Sequence, residues 1–530
     1  MKRNIKNILF TLLGALIIYY FMLPPINLQA RGFWVYIIVI MVLYLLLSMG
    51  KTLKSDVKVI KVDNVSSLFK VSKLIFVIGG IILAIIIINF IYSPLLNAKQ
   101  YATRITIDEA KDFTDGVEEV NWDSVPLLDK DSSRKLGDRT MGNITDLVSQ
   151  FYVSELYTQI NYKNNIIRVT PLEYADVIKY FTNRSKGVEG YITVNSVNGE
   201  SKLIRLAKGM KYMPSSLFFE NLNRKLRFSY PTKVFGDISF EIDEEGKPFW
   251  IVPTIKYKGV GLRKDVEGVI IFDPVDGSST YYKVGNVPSW VDHVYSADLI
   301  IEQVDNWGEY SSGFLNSIFG QKNVINTTEG YNYLAMHDDI YMYTGITSVS
   351  TDESNLGFIL TNLRTKETNY YLVAGAEEYS AMASAEGLVQ EKNYQATFPL
   401  LINLNNKPTY LLSLKDNAGL VKMYAFVDVV DYQRVVTSDA SLGIEVAAKK
   451  YLGETEFNTH NLIEATIEVK TITSAVLEGT TYYYLTDKEN NYYSVSIKTN
   501  QNFLPFVKVG DILKISYYPD DVRTIIKLEK

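Results

Sequence analysis

Three long apolar runs in the first 92 residues constrain this chain more than any other feature of its sequence. They cover residues 8–23, 33–49 and 74–92, and none of them contains Asp, Glu, Lys, Arg or His. A membrane core of about 30 Å requires roughly 20 apolar residues of α-helix, and the first two runs lie near the short limit of that length. The sequence therefore predicts three transmembrane helices at these positions.

The lack of ionisable side chains also limits what these helices do. Ion-coupled transport and proton relay require such groups inside the membrane, so we interpret the three helices as an anchor. The first run has an alternative interpretation as a removed signal peptide, because it has a basic start and Ala30 at a possible cleavage site. Leu28 fits the small-residue rule for cleavage poorly, and the third helix exports the C-terminal part in either case.

Basic residues in the short connections predict the orientation of the helices. Cytoplasmic connections carry an excess of lysine and arginine. The connection at 24–32 has only Arg31, whereas the N-terminus and the connection at 51–73 are rich in positive charge. The topology determinants are Lys2, Arg3, Lys6, Lys51, Lys54, Lys58, Lys61, Lys70 and Lys73. This pattern predicts a multi-pass cell-membrane protein with a cytoplasmic N-terminus and an extracytoplasmic C-terminal part.

Formal charge divides the chain at the same place. Residues 1–93 hold ten Lys/Arg and two Asp/Glu, whereas the remainder holds 44 and 57 and is strongly acidic. An acidic surface repels nucleic acids and other anionic polymers, so we expect no nucleic-acid partner. The chain has no cysteine, which excludes disulfides and thiolate metal sites.

The fold class expected after the membrane anchor (1–93) is an α+β, β-rich multidomain ectodomain. Short strand-like and helix-like stretches alternate there, and tyrosine, which is typical of strands, occurs 38 times in the chain. The chain is too long for one ordinary core. The expected segments are a loop-rich juxtamembrane part at 94–150, an α+β domain at 151–290, a second α+β, β-rich domain at 291–453 and a small barrel at 462–530.

Local patterns predict individual elements of the ectodomain. Thr170 as an N-cap and Pro171 at the first helical position favour a helix. Helices are expected at 106–113, 170–181, 214–228 and 376–392, and a loop is expected at 123–142.

Two hairpins are predicted at 240–284, with turns at Glu245-Gly246 and Asp276-Gly277. The run from GKPFWIVPTI to FDPVDGSSTYYKV resembles the central hairpins of PepSY-type units, which are small extracytoplasmic α+β modules. The resemblance covers about 45 residues and implies an interaction or inhibitory module rather than a catalyst.

The last segment, at 462–530, resembles a five-stranded OB-type barrel. Such barrels often bind nucleic acid through a basic groove with stacking aromatic side chains. Residues 461–530 hold eight Lys/Arg and nine Asp/Glu, however, and provide no basic groove. The candidate interaction surface comprises Tyr482, Tyr484, Tyr492 and Tyr493. The alternative is that these tyrosines only fill the two faces of their strands.

The sequence contains no motif that indicates catalysis, a metal ion or a cofactor. Its three histidines, His293, His337 and His460, do not have the spacing of a metal site, and there is no glycine-rich phosphate loop. We therefore predict no catalytic residues, no metal ligands and no cofactor. Three glutamates at 377, 378 and 386 share one predicted helix, where they form either an acid/base set beside a cleft or a solvated helix face.

These patterns favour a non-enzymatic, membrane-anchored extracytoplasmic scaffold or adaptor that binds other proteins of a bacterial cell envelope. One alternative is an envelope enzyme that acts on glycan. Another is a sensor of an external ligand, which needs a separate cytoplasmic partner because the connection at 51–73 is too short for a catalytic output.

Overall fold

The computed structural model describes residues 2–49, 65–336, 338–348, 354–452, 463–477, 480–500, 503–517 and 523–529. The chain divides into two compact units, Met1–Ile444 and Glu445–Lys530. The finer division into five segments stays a prediction.

Three N-terminal helices contain the apolar runs. They are α1 (Lys2–Met22), α2 (Arg31–Met49) and α3 (Val65–Ile91). Each contains a stretch of 18 or 19 residues that is long and apolar enough to cross a membrane, and at most 6% of the residues in any stretch are buried. Exposed apolar side chains all round a helix are expected where lipid is the solvent. The prediction of three candidate membrane-spanning helices is confirmed.

Eight shorter helices occur in the rest of the described chain. They are α4 (Pro94–Ala102), α5 (Phe113–Gly116), α6 (Lys130–Gly142), α7 (Val177–Asn183), α8 (Leu222–Ser229), α9 (Ala297–Tyr310), α10 (Glu378–Leu388) and α11 (Ile444–Leu452).

The first sheet is antiparallel, has the strand order β2-β4-β5-β6, and includes β3 beside β4. Its strands are β2 (Phe151–Val153), β3 (Thr158–Tyr162), β4 (Asn165–Tyr174), β5 (Val188–Asn195) and β6 (Ser201–Met210).

The second sheet has the order β11-β10-β9-β7, with β8 beside β9. Its strands are β7 (Val234–Phe235), β8 (Ser239–Ile242), β9 (Pro248–Lys258), β10 (Leu262–Phe272) and β11 (Ser279–Lys283). The pairs β8–β9 and β10–β11 are hairpins at the positions where the sequence predicted two. The likeness to PepSY-type units stays a prediction.

The third sheet has the order β1-β16-β15-β14-β12, with β13 beside β14, and the fourth has the order β17-β19-β20-β21, with β18 beside β19. The strands of the third sheet are β1 (Ile107–Lys111), β12 (Ile325–Thr327), β13 (Asn332–Met336), β14 (Asp339–Ser348), β15 (Ser354–Asn362) and β16 (Thr368–Ala376). Those of the fourth are β17 (Gln395–Ala396), β18 (Leu400–Leu404), β19 (Lys407–Lys415), β20 (Val421–Asp428) and β21 (Val435–Asp439).

The second sheet packs against the first sheet with one face and against α9 and the third sheet with the other. Trp250 and Val252 of β9 belong to a core shared with the first sheet. Ile251, between them, belongs to a second core shared with α9 and the third sheet. Alternate residues of a strand point to opposite faces, so one strand contributes to both cores.

Two of the helix predictions, at 106–113 and at 170–181, are wrong. Residues 107–111 are not helical, because Ile107–Lys111 is strand β1, which pairs in parallel with β16, and the helix that follows, α5, begins only at Phe113. Thr170 and Pro171 lie inside β4, opposite Ile192 and Tyr191 of β5. The helix expected at 170–181 begins only at Val177.

The segment expected to be a loop at 123–142 contains a helix, α6. Asp129 caps this helix by accepting a hydrogen bond from the main-chain N–H of Ser132 over 2.9 Å. The polar composition that indicated a loop is that of a surface helix with Ser133, Gly137 and Met141 on its buried side.

The second unit contains a closed five-stranded barrel with the order β22-β23-β24-β26-β25. Its strands are β22 (Ile463–Leu477), β23 (Thr480–Asp487), β24 (Tyr492–Ser496), β25 (Ile512–Tyr517) and β26 (Arg523–Glu529). All neighbours are antiparallel except β24 and β26. The resemblance to an OB-type barrel stays a prediction.

Within the first unit, the C-terminal ends of α1 and α3 contact the folded part directly. Arg227 of α8 donates from Nε to the main-chain carbonyl of Leu23 over 3.0 Å, which satisfies a carbonyl at the end of α1. Asn89 of α3 donates to the carbonyl of Val260 over 3.1 Å and accepts from its N–H over 2.8 Å. The connection between α1 and α2 therefore lies on the same side of the helices as the folded part, and the start of α1 lies on the other.

Candidate functional site

The predicted tyrosine surface lies on β23 and β24 of the barrel. Tyr482 and Tyr484 stand opposite Ser496 and Ser494, and Tyr492 stands opposite Thr486, so all three tyrosines share one face. Tyr482 and Tyr484 are half-buried, and Tyr492 is 61% exposed. Their role in an interaction stays a prediction.

Tyr493 lies on the opposite, inner face of β24, so it is not part of the surface that the sequence predicted. It is 2% exposed and belongs to the core of the barrel. Its hydroxyl donates to Asp487 Oδ2 over 2.9 Å and accepts from Arg523 Nη1 over 3.0 Å. Consecutive strand residues point to opposite faces, so Tyr492 and Tyr493 cannot both belong to one surface.

The predicted topology determinants lie away from the folded part wherever they are described. Lys2, Arg3 and Lys6 are at the start of α1, and Lys70 and Lys73 are near the start of α3. These are the helix ends opposite to those that contact the folded part. The remaining determinants, Lys51, Lys54, Lys58 and Lys61, lie outside the described residues.

A cleft of about 540 Å³ in the first unit is lined by residues of the first three sheets and the loops around them. Gln159 of β3 and Arg168 of β4, which form a cross-strand pair, are part of its lining. Ile167 and Val169 flank Arg168 and belong to the core behind the sheet. Arg168 therefore projects from the other face, toward the cleft.

Arg168 is a buried cation without an ion pair among the described residues. It is 6% exposed, and its Nε–H has no hydrogen-bond partner there. The hydrogen bond that its side chain makes among these residues is long, from Nη2 to the main-chain carbonyl of Leu128 over 3.4 Å. Burial lowers the pKa of Arg168 to about 10, although the nearby carboxylate of Asp129 opposes this shift. The guanidinium therefore stays charged at neutral pH in a place where a charge costs several kcal/mol.

The nearest carboxylate, that of Asp129, is engaged by other groups. Its Oδ2 pairs with Lys415 Nζ over 2.5 Å, and its Oδ1 caps α6. Burial raises the pKa of Asp129, but the hydrogen bonds from Lys415 and Ser132 outweigh this effect and hold the pKa below its usual range. Asp129 is thus compensated without Arg168, and the arginine has no ion pair within the part of the chain that the structure describes.

Other side chains in the cleft supply hydrogen-bonding groups and aromatic surface. Both polar atoms of the Gln159 side chain are buried and lack a partner within the described part of the chain. His293 donates from Nε2 to the main-chain carbonyl of Gln159 over 2.7 Å, and its ring meets that of Tyr333 edge-on at 5.8 Å. Five tyrosine and phenylalanine residues line the cleft, namely Tyr157, Tyr295, Tyr331, Tyr333 and Phe398. An aromatic wall beside a desolvated arginine is the composition of an energetically important binding site.

A buried carboxyl pair lies close by but does not open into the cleft. Glu241 accepts from the main-chain N–H groups of Asp292 and His293 over 2.9 and 3.2 Å, and Asp292 accepts from that of Asn161 over 2.8 Å. Burial, and then the charge of Glu241, raises the pKa of Asp292 well above its usual range. Both side chains are at most 1% exposed, and neither lines the cleft. The pair therefore holds main-chain segments together in a position that a glycan chain cannot reach.

Glu378 also departs from its expected environment. It opens α10 but is fully buried rather than solvated. Burial raises its pKa to about 7, and neighbouring donor groups of Thr328 and Asn355 oppose the shift. Glu386 is also engaged, because its carboxylate accepts from the N–H of Ala396 over 2.8 Å. Neither Glu378 nor Glu386 lines the cleft that contains Arg168.

Sequence reasoning missed Arg168 and Gln159, although one signal was present. Arg168 interrupts an apolar strand, IIRVTPL, in which every other residue is uncharged. A charged side chain in a strand buried on both faces is rare unless it is paired or functional. In the described residues no group of three His, Asp or Glu side chains is arranged to hold a metal ion.

Comparisons with known proteins add no family to these observations. No protein-family model matches the chain, and no curated protein matches it significantly.

Proposed function

We propose that this protein is a non-enzymatic, membrane-anchored scaffold or adaptor that binds other cell-envelope proteins, and that the Arg168 cleft receives an acidic group of such a partner. The observation that carries the proposal is the buried guanidinium of Arg168, which has no ion pair within the described residues and lines an open cleft. A carboxylate from a partner supplies the missing charge, and arginine binds carboxylates through two parallel hydrogen bonds.

A protein segment suits this cleft because of its lining. Beside Arg168 there are aromatic rings and the uncharged donor and acceptor atoms of Gln159. Arginine and tyrosine are enriched at the energetic centres of protein interfaces. A volume of about 540 Å³ holds a few side chains. The expected occupant is an Asp or Glu side chain or a C-terminal carboxylate together with its apolar neighbours.

The orientation in the membrane is part of the proposal. The N-terminus and the connection at 51–73 lie in the cytoplasm, and the folded part lies outside the cell. Support comes from the lysines and arginine at the helix ends away from the folded part, as the positive-inside rule requires. Retention of α1 is favoured over cleavage because Arg227 and Phe228 of α8 contact its end.

The second unit supplies an additional binding surface in this proposal. Its barrel is of OB type, and the outer face that carries Tyr482, Tyr484 and Tyr492 contacts a protein rather than a nucleic acid, because the unit has no excess of positive charge. The hairpins at 240–284 are those of a PepSY-type interaction module.

Site-specific photo-crosslinking in living cells tests the role of the cleft. A benzophenone amino acid replaces Tyr331, which lines the cleft and is 36% exposed. The expected result is crosslinking to one or a few envelope proteins, which Arg168→Gln abolishes and Arg139→Gln, an exposed arginine of α6, does not.

The position of the crosslinker has its own control. The same amino acid at Tyr152, which is 48% exposed on β2 and does not line the cleft, should give a different pattern. Crosslinks at Tyr331 that persist in Arg168→Gln contradict the proposal. Capture of a small anionic molecule instead of a protein supports the sensor alternative.

A further inference from the structure

A second feature of the first unit is a patch of apolar side chains on its surface. Val177, Ile178 and Phe181 of α7, Phe218 and Phe219 of the short helical turn Phe218–Glu220, and Phe228 of α8 are each between 45% and 70% exposed. Single exposed apolar residues are common on proteins, but a contiguous group marks a surface that another phase or molecule covers.

Ring contacts connect the patch to the first membrane helix. Phe219 meets Tyr20 of α1 at 5.8 Å, and Phe228 meets Tyr19 at 5.9 Å. Phe219 and Phe228 also meet each other at 5.9 Å. Tyr19 and Tyr20 belong to the stretch Ile5–Met22, which is apolar enough to span a membrane. The lipid-facing surface of α1 therefore continues onto the folded part.

The patch extends outward from this junction. Phe218 meets Phe181 of α7 at 6.2 Å, and Ile178 beside it is 70% exposed. Phe218 has a φ angle of 51°, a left-handed conformation that is unfavourable for a bulky residue. Arg224 of α8 donates to the carbonyl of Phe218 and therefore holds this turn in place. A strained main chain that exposes an aromatic ring indicates that the ring has a role at the surface.

A charged side chain, that of Arg224, lies beside the aromatic rings at the junction with α1. The guanidinium of Arg224 covers the ring of Tyr20 at 4.2 Å and donates to the Tyr20 carbonyl over 3.3 Å. Tyrosine, phenylalanine and arginine together are typical of the boundary between lipid chains and headgroups.

We propose that this patch lies in the membrane–water interface and binds the lipid surface, so that α7, the turn Phe218–Glu220 and α8 rest on the bilayer beside α1. The patch continues directly from the lipid-facing surface of α1, so lipid can cover both surfaces without a break. This continuity favours lipid over a protein partner as the occupant of the patch. The contact fixes the tilt of the first unit on the membrane, and it does not depend on what binds at Arg168 or on which side of the membrane the folded part lies.

Labelling of the unmodified full chain tests this proposal without risk to its folding. The chain is reconstituted in vesicles of phosphatidylcholine and phosphatidylglycerol that contain a photoactivatable phosphatidylcholine, and the labelled peptides are identified by mass spectrometry. We expect label on the peptides that contain Phe181 and Phe219 and none on the peptide that contains Leu420, which is 50% exposed on the connection between β19 and β20. Label confined to α1, α2 and α3 overturns the proposal.

A spin-label experiment separates lipid from a protein occupant. Because the chain has no cysteine, Phe181→Cys, Phe219→Cys and the control Leu420→Cys each carry one label in the full chain. We expect the labels at 181 and 219 to collide preferentially with oxygen, which partitions into lipid, and the label at 420 to collide with a water-soluble nickel chelate. Equal access of the chelate to all three positions overturns the proposal, as does shielding of 181 and 219 from both reagents, which indicates a protein cover.

Discussion

Gln159 and Arg168 face each other across the hairpin of β3 and β4, and neither side chain has its hydrogen-bonding capacity met within the described residues. Two adjacent buried polar groups with unmet bonds are costly for folding. A chain that retains them at the wall of a cleft gains when a complementary group binds there. This relationship is the basis of the proposed function.

Arg168→Met is expected to leave the fold unchanged or stabilise it. The substitution removes a buried charge that has no ion pair in the described ranges, and it keeps most of the side-chain volume. The free energy of unfolding should therefore be unchanged or should rise by about 1–3 kcal/mol. Urea unfolding of the full chain in detergent measures this, with Arg139→Met as the control of equal charge. A loss of more than about 2 kcal/mol would show that Arg168 is structural.

Arg227→Met should have the opposite effect. Arg227 is 5% exposed and donates to the carbonyls of Leu23, Tyr230 and Lys233. Its removal takes the side-chain donor from all three half-buried carbonyls, of which that of Tyr230 still accepts from the N–H of Lys233. We expect a loss of about 3–5 kcal/mol, seen as a lower urea midpoint than that of Arg139→Met. Midpoints that agree for the two variants would contradict the role of Arg227 in joining α1 to the folded part.

Glu378→Gln is expected to change how stability depends on pH. The pKa of Glu378 is about 7 in the folded chain, against 4.5 in the unfolded one. Folding therefore takes up a proton between these values, and stability decreases as the pH rises from about 4.5 to about 7. Because Glu378→Gln cannot ionise, it should raise the free energy of unfolding by on the order of 3 kcal/mol at pH 8 and by little at pH 4.5.

Thermal unfolding across this pH range checks the prediction, with the exposed Glu391→Gln as the control. A constant difference between Glu378→Gln and the parent at every pH would argue against a raised pKa.

The barrel offers a matched pair of substitutions. Tyr493→Phe removes a hydroxyl that bonds to Asp487 and Arg523 inside the barrel, which should cost about 1–2 kcal/mol. Tyr492→Phe, at the 61% exposed neighbour, should cost little. Hydrogen exchange of the β22–β26 amides in the full chain should be about tenfold faster in Tyr493→Phe alone. Equal exchange in both variants would place Tyr493 on the surface.

The membrane helices and several hairpins could be predicted from the sequence because their signals are local. An apolar run without charge specifies a membrane helix by itself. The turns at Glu245-Gly246 and Asp276-Gly277 mark hairpins in the same way, because Gly246 and Gly277 take positive φ angles of 80° and 78°.

The predictions that are wrong depend on contacts between distant residues. The Thr170-Pro171 pattern suits a helix start, but β5 pairs with this segment and both of its faces are covered, so it becomes part of β4. Glu378 is polar and opens a helix, yet it is fully buried near Tyr343 of the third sheet and Tyr410 of the fourth. Local propensity does not contain this information.

The cleft could be anticipated only in part. The position of Arg168 within an apolar strand predicts a buried charge. Two other features follow only from the packing of separate sheets. Lys415, 286 positions away, pairs with Asp129, and Tyr331 and Phe398 complete the wall of the cleft.

The most direct test of the proposed function is crosslinking in living cells followed by affinity purification and mass spectrometry of the parent, Arg168→Met and Arg139→Met. We expect a small set of envelope proteins, in stoichiometric amounts, with the parent and with Arg139→Met, and we expect Arg168→Met to lose them. No partner above background, or the same partners in equal amounts with all three proteins, would contradict it.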